Sequence, residues 1–148
     1  MKKKLLTSFI VLCCLFAGLF FFMSNKSGSN SLQVTELSQF VSEINVGQEF
    51  ELKSLTDFEW DKVYIVPPYG DLSVLNDVKG IDRIQSSIKT SDSISLLIFV
   101  KGDTLTRFAE VPRNQGDFAF VTRKEFKVNE AVFVKKKSPA GTTLINKF

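Results

Sequence analysis

Three carboxylates alternate along one short stretch of the chain, and their spacing is the feature most suggestive of chemistry. They are Asp57, Glu59 and Asp61, in the sequence DFEWD. A pair of carboxylates hydrolyses a glycosidic bond when one is a protonated acid and the other is a base or nucleophile. Alternation puts all three on the same side of an extended segment, where a solvated face with Lys62 as charge partner is the simpler interpretation. We keep a small carboxylate-based hydrolase as the alternative and predict that the protein is not an enzyme.

The remaining candidates for catalysis and metal binding are weak or absent. SSIK (Ser86–Lys89) matches the S-x-x-K of penicillin-recognising enzymes, but no K-T-G strand follows it. The chain has no histidine, and its two cysteines, Cys13 and Cys14, lie in an apolar segment. The folded part therefore lacks an imidazole base, a thiol nucleophile, a disulfide and a Cys/His metal site. We predict no catalytic residue, no metal site and no cofactor.

A group of aromatic residues gives a stronger indication of binding. Trp60, Tyr64 and Tyr69 are the only Trp and Tyr residues in the chain. In the strand WDKVYIV, alternation predicts Trp60 and Tyr64 on one face, with Val63 and Ile65 on the other face toward the core. Tyr and Trp are favoured in recognition surfaces because each combines a large contact area with a polar tip.

The strand leads directly into two prolines. Pro67 and Pro68 fix two successive φ angles, so we expect a stiff exit that presents Tyr69 near the end of the strand. The predicted binding residues are Trp60, Tyr64, Pro67, Pro68 and Tyr69. The alternative is that Trp60 and Tyr64 pack beneath the N-terminal helix of the domain.

The distribution of charge argues against a nucleic-acid partner. The formal net charge is +3. Lys2, Lys3, Lys4 and Lys26 lie in or beside the apolar N-terminal segment, and the first acidic residue is Glu36. The remainder is close to neutral, whereas a nucleic-acid binder concentrates basic charge on its folded domain.

The N-terminal segment is predicted to be a membrane anchor. A helix over Leu5–Met23, at about 1.5 Å per residue, nearly matches a hydrocarbon core of about 30 Å. Two alternatives stay open, a cleaved signal peptide and lipidation at Cys13 or Cys14. In each case the positive-inside rule keeps the lysines cytoplasmic and exports the rest. The predicted location is the cytoplasmic (inner) membrane, single-pass, with the C-terminal domain on the periplasmic or extracellular side.

The exported part begins after a polar linker. The predicted organisation is a signal anchor over 1–23, a linker over 24–30 and a domain over 31–148. Leu37, Phe40, Val41 and Ile44 have the spacing of an amphipathic helix. DLSVLNDVKG is predicted to be a second, short helix with Asp71 as its N-cap.

Strand signals fill the rest of the domain. SISLLIFV and TLTRFAEV predict a hairpin that turns at Gly102–Asp103. DFAFV and EAVFVKKK predict two more strands, separated by TRKEFKVN. The predicted fold class is α+β, an N-terminal transmembrane helix followed by a small antiparallel sheet with one or two helices packed on it. We expect Ile65, Leu97, Phe99 and Phe133 in its core.

The order of several motifs resembles a known set of proteins. FEWDKVYIVPPYG, IFVKGD, VPRNQGDF and NEAVFV follow one another between Phe58 and Val134. This arrangement resembles small uncharacterised, exported or membrane-anchored bacterial proteins that share a W-D-x-V-Y…P-Y core. Pro67–Pro68 stands where those proteins have a glycine or a single proline before Pro-Tyr. The resemblance implies no activity.

These observations favour a membrane-tethered bacterial envelope protein that acts as a protein-binding module. An immunity or inhibitor protein that neutralises an envelope-acting toxin or hydrolase is the most specific form of this hypothesis. The expected partners are the membrane, through Leu5–Met23, and an unidentified envelope protein. An accessory subunit of a membrane complex is a further alternative beside the hydrolase.

Overall fold

The computed structural model describes residues 34–122, 124–139 and 141–147, which fall within a compact unit, Ser31–Phe148. This part of the chain is mostly β-structure, with two antiparallel sheets and one short α-helix. The helix and strands are α1 (Glu36–Glu43), β1 (Glu49–Glu51), β2 (Lys62–Val66), β3 (Ile94–Lys101), β4 (Thr104–Pro112), β5 (Glu125–Lys127), β6 (Val132–Ser138) and β7 (Gly141–Asn146). The predicted α+β class, with a single sheet and one or two helices on it, is therefore wrong.

The larger sheet has the strand order β4-β3-β2-β5. Its β3–β4 hairpin confirms the predicted turn, where Gly102 takes a φ of 60°. The register shifts after Phe99, which lies opposite Arg107, because Val100 lies opposite Leu105. Thr106 is the extra residue of this bulge, and its Oγ1 donates to the Phe99 carbonyl at 2.9 Å.

The smaller sheet has the order β1-β6-β7. Its β1 strand pairs with β6, placing Phe50 opposite Phe133. These two strands are far apart in the chain, and a local sequence pattern carries no information about such a pairing. The prediction of a single sheet failed here because it assumed that strands next to each other in the chain are also next to each other in one sheet.

The first hydrophobic core joins the smaller sheet, one face of the larger sheet and α1. Leu37 and Val41 of α1 are fully buried in it. All four expected core residues are confirmed as buried, and the ring centroids of Phe133 and Phe126 are 5.3 Å apart. The four residues are Ile65, Leu97, Phe99 and Phe133.

A buried lysine connects the smaller sheet to the helix. The Lys135 Nζ donates to the Val41 carbonyl at 2.8 Å and to the Ser42 carbonyl at 3.2 Å. Both carbonyls are at the negative end of the helix dipole, where a cation is stabilising. Desolvation lowers the pKa of Lys135.

The second core covers the opposite face of the larger sheet. Val66, Ile98 and Val100 on that face pack with Leu75 and Ile88 of the β2–β3 connection, residues 67–93. Strand β3 is therefore buried on both sides over residues 95–100. This explains its continuous apolar sequence, which is the pattern of a strand without a solvent-facing side.

The predicted helix after Asp71 is 3-10 rather than α. It covers Leu72–Leu75, and a second 3-10 turn covers Ile81–Arg83. Leu72, Leu75 and Val78 recur every third residue, which is the period of a 3-10 turn. The predicted N-cap is confirmed, since the Asp71 carboxylate accepts from the Ser73 amide at 3.0 Å.

The predicted strand DFAFV is wrong, and β5 forms within TRKEFKVN instead. Phe118 and Val121 are buried, while the Phe120 side chain is 60% exposed. The Val121 amide donates to the Phe118 carbonyl at 3.1 Å, which makes this stretch a turn. The buried apolar residues of this stretch are therefore three positions apart, as in a turn, and do not alternate with exposed ones as the sequence suggested.

Single residues cover the long edge strand of each sheet. The Lys79 amide donates to the Asp103 carbonyl and the Leu105 amide donates to the Lys79 carbonyl, forming a parallel bridge to β4. On β7, the Leu144 amide donates to the carbonyl of Asp117 at 2.8 Å. Both edge strands are thus paired on their outer side at these positions.

The transmembrane prediction requires a correction for the part of the chain described here. Within residues 34–122, 124–139 and 141–147, no helix has the length and apolarity needed to cross a membrane. Leu5–Met23, Cys13, Cys14 and the linker over 24–30 lie outside the described residues.

Replacing Phe99 should test the central position of β3. We expect Phe99→Ala to lower the free energy of unfolding by about 3–5 kcal/mol, from lost burial and the cavity left behind. The matched control is Phe40→Ala, because that ring is 44% exposed on α1 and its loss should cost below about 1 kcal/mol. Denaturant unfolding followed by circular dichroism gives both values. Equal costs for the two variants would contradict the assignment of β3 as the central strand.

Candidate functional site

The segment Pro67–Gly70 forms a tight turn directly after β2. The Gly70 amide donates to the Pro67 carbonyl at 3.0 Å, which closes the four-residue turn. Proline at the second position and a positive φ at the third are the features of a type II turn. Pro67, Pro68 and Tyr69, three of the five predicted binding residues, therefore lie together at one corner of the domain.

Tyr69 occupies the position of this turn that normally requires glycine. Its φ is 60°, and it is the only non-glycine residue with a positive φ in the described ranges. An L-residue in this left-handed region costs roughly 1–2 kcal/mol. The ring nevertheless stays 63% exposed, and the backbone amide donates to the Ser91 carbonyl at 3.3 Å.

Gly70 is required for the turn to close. A Cβ on this residue would collide with Val66 Cγ1 and lie 2.8 Å from the Pro67 carbonyl oxygen. The backbone around Tyr69 is therefore fixed by proline on one side and by a steric requirement for glycine on the other.

Asp71 anchors the chain just after the turn. Its carboxylate accepts from the Ser73 hydroxyl at 2.5 Å, and the Lys89 Nζ lies 3.3 Å away. The Ser73 hydroxyl, the Ser73 amide and Lys89 together lower the pKa of Asp71 from 3.8 to about 2. Lys89 thereby links the start of the β2–β3 connection to its later part.

The structure separates the other two predicted binding residues. Trp60 is only 5% exposed in the first core, where its ring meets Phe99 edge-on at 5.2 Å and its indole N–H donates to Thr56 Oγ1 at 2.9 Å. Tyr64 packs on the second core, and its hydroxyl accepts from Lys62 Nζ at 3.1 Å. The expectation of a shared face is wrong because β2 begins at Lys62, so strand alternation does not extend back to Trp60.

An open groove lies beside Trp60 and has a volume of about 580 Å³. It is lined by the three carboxylates and by Trp60, all of which the sequence singled out, together with residues that the sequence did not indicate. The lining residues are Lys53, Thr56, Asp57, Phe58, Glu59, Trp60, Asp61, Lys101 and Val128.

The base of the groove is rigid. The rings of Phe58 and Trp60 both meet the Phe99 ring edge-on, each with its centroid 5.2 Å from that of Phe99. The Asp61 carboxylate accepts from the Gly102 amide at 2.7 Å, which fixes that side chain to the β3–β4 turn. The groove therefore has an aromatic base held by the central strand.

Charged side chains surround this base. Lys101 forms an ion pair with Glu59, and the hydrogen bond from Lys101 is the main reason that the pKa of Glu59 is lowered. Glu59 thus stays ionised at neutral pH. No group of three or more Asp, Glu, His or Cys side chains in the described ranges is arranged to hold a metal ion.

The S-x-x-K match does not assemble a catalytic pair. The Ser86 hydroxyl donates to the Glu110 carboxylate at 2.6 Å, whereas Lys89 pairs with Asp71. Each side chain has a structural partner on a different element, which supports a polar connection before β3.

Comparison of the chain with protein-family models, with curated proteins and with solved structures found no match. The resemblance to small exported bacterial proteins over Phe58–Val134 therefore stays a hypothesis. The geometry of the turn and of the groove supplies the support for a function.

Removing the Ser73 hydroxyl should raise the pKa of Asp71. Because the folded pKa lies below the unfolded one, this carboxylate stabilises the fold above about pH 4 and loses that effect as the pH falls toward 2. NMR titration of the Asp71 carboxyl carbon should give a midpoint of about 2, and a higher one in Ser73→Ala. Lys89→Ala should also raise it, because the ammonium is a further cause of the lowered pKa. An unchanged midpoint in Ser73→Ala would contradict the assigned role of the hydroxyl.

Proposed function

We propose that this chain is a protein-binding module of the bacterial cell envelope and that the corner Pro67–Gly70 is its contact surface. In the most specific form of the proposal, it is an immunity or inhibitor protein. Its partner is then an envelope-acting toxin or hydrolase.

The observation that carries the proposal is the exposed Tyr69 ring on a strained backbone. A ring that is 63% exposed gains little from burial within its own fold, yet the backbone bears the cost of a left-handed tyrosine. Strain of this kind is concentrated at functional sites, where the surrounding structure holds it in place. Tyrosine is also among the residues that dominate binding energies at interfaces.

The rigidity of the corner favours binding further. Pro67, Pro68 and Gly70 fix the backbone before any partner arrives, so little conformational entropy is lost on association. The proposed contact set is Pro67, Pro68 and Tyr69. Trp60 is almost fully buried and presents little surface to a partner.

The groove at Trp60 bears on the hydrolase alternative. It does gather Asp57, Glu59 and Asp61, as that alternative requires. A glycosidase also needs one carboxyl with a raised pKa to act as the acid. Lys101 instead lowers the pKa of Glu59, and Asp61 is bonded to the backbone of Gly102, so binding is the better-supported function.

The proposed location is the outer side of the cytoplasmic membrane, with the domain over 31–148 exported. Support for the location comes from the sequence of residues 1–30 alone, where the lysines precede the apolar segment. No nucleic-acid partner is proposed, because the charge beyond residue 30 is close to neutral.

Tyr69→Gly should weaken binding without unfolding the domain. Relief of the left-handed strain offsets the larger unfolded-state entropy of glycine, so the free energy of unfolding should change by no more than about 1 kcal/mol. Loss of the ring should weaken binding by about 2 kcal/mol or more. A photo-cross-linking amino acid at position 69, in host cells, identifies the partner. Calorimetry with the purified partner then gives the affinity.

The matched control is Phe40→Ala, which removes another partly exposed ring. Phe40 is on α1, which packs in the first core, whereas the segment that follows the corner packs in the second. The affinity of Phe40→Ala should equal that of the unmodified chain. Unchanged binding in Tyr69→Gly, or an equal loss in Phe40→Ala, would refute the corner as the contact. A destabilisation above about 2 kcal/mol in Tyr69→Gly would instead make the ring structural.

The proposed export has a separate test. Alkaline phosphatase fused after Phe148 should be active, because that enzyme matures only outside the cytoplasm. A fluorescent cytoplasmic reporter at the same position should be inactive. The reverse pattern would place the domain in the cytoplasm and rule out an envelope partner.

A further inference from the structure

The groove beside Trp60 has the construction of a ligand site that is separate from the corner. None of the residues Pro67–Gly70 lines it. Its volume, about 580 Å³, is within the usual range of small-molecule sites, roughly 300–1,000 Å³. Thr56 and Phe99 hold Trp60 in place, so the groove is formed before any ligand enters.

The charges of the lining limit the class of ligand. Three carboxylates and two ammonium groups share the groove, so an ionic ligand of either sign meets repulsion as well as attraction. Glu59 and Lys101 already neutralise each other. A neutral ligand with many hydroxyl groups can use both signs, donating to carboxylates and accepting from ammonium groups.

The apolar part of the lining suits the same class. Phe58 and Val128 are half-buried and line the groove together with Trp60. The ring carbons of a sugar present an apolar face beside their hydroxyl groups, and such a face packs on aromatic and aliphatic surface. A fully apolar ligand would instead leave the charged groups without solvent.

We propose that this groove binds a short neutral oligosaccharide. Asp57 and Glu59 accept from its hydroxyl groups, Lys53 donates to them, and Phe58 with Val128 supports the sugar ring. The site is a binding site only, and no bond of the saccharide is broken.

Trp60 makes the test specific to this groove. It is the only tryptophan in the chain, and its N–H donates to Thr56 of the groove lining, so the indole fluorescence and the NMR signal of the N–H come from this position. The full-length chain, in a detergent without a sugar headgroup, is titrated with maltotriose, cellotriose and the trimer of N-acetylglucosamine. Trilysine serves as the cationic comparison. At least one saccharide should give a saturable change in both signals.

Two carboxylate variants and one control complete the test. Asp57→Asn and Glu59→Gln should each weaken saccharide binding about 10-fold, because a hydrogen bond to a charged acceptor is lost. Glu49→Gln is the matched control, since Glu49 also pairs with a lysine, Lys147 at 2.9 Å, but lies outside the groove. It should bind like the unmodified chain.

Three results would overturn the proposal: no saturable change with any of the three saccharides, saccharide binding that Asp57→Asn and Glu59→Gln leave intact, or tighter binding of trilysine. The last result would assign the groove to a lysine-bearing peptide. Because Tyr69 takes no part here, failure of the corner as a protein contact leaves this test unaffected.

Discussion

Burial of β3 on both faces is the constraint around which the other described elements are arranged. Its backbone pairs with β2 and β4, and its side chains alternate between two cores. Leu97 and Phe99 face α1 and the smaller sheet, whereas Ile98 and Val100 face the β2–β3 connection, residues 67–93. A strand of this kind is stable only if both faces of its sheet are covered. The connection from β2 to β3 provides the cover on one side.

The same constraint explains why the corner at Tyr69 is strained. The chain must leave β2 and cross the second face of the sheet immediately, so it reverses within four residues. Pro68 and Gly70 make that reversal possible, and Tyr69 takes the left-handed position between them. The Tyr69 amide donates a hydrogen bond to the Ser91 carbonyl, near the far end of the β2–β3 connection. The exposed ring is thus attached to a segment that the second core holds in place.

Local sequence signals predicted the parts of the fold that depend on neighbouring residues. The hairpin at Gly102, the N-cap at Asp71 and the burial of Phe99 could be read in this way. The β1–β6 pairing and the approach of Lys101 to Glu59 could not, because each joins segments that are distant in the chain. The turn residues of the candidate site were predictable from Pro67–Pro68. The groove was not, since the sequence indicated its carboxylates and Trp60 but gave no sign that Lys53, Lys101 and Phe58 would join them.

Mistakes in the local assignments also have physical causes. DFAFV alternates like a strand, but Phe118 and Val121 are buried three residues apart, as a turn requires. Trp60 precedes the first residue of β2, so its ring turns into the first core while Tyr64 faces the second. In both cases the packing of distant elements decided a choice that the local pattern left open.

The two parallel bridges at the sheet edges have a consequence for behaviour at high concentration. An uncovered edge strand offers free amide and carbonyl groups to another chain and so promotes aggregation. Lys79 occupies such groups beside β4, and Asp117 does the same beside β7. The Asp117 carboxylate is held by Arg113 at 2.7 Å, so the cover on β7 depends on a side-chain ion pair as well as on the backbone. Loss of Arg113 would therefore first appear as self-association through β7, at a concentration where the intact chain stays dispersed.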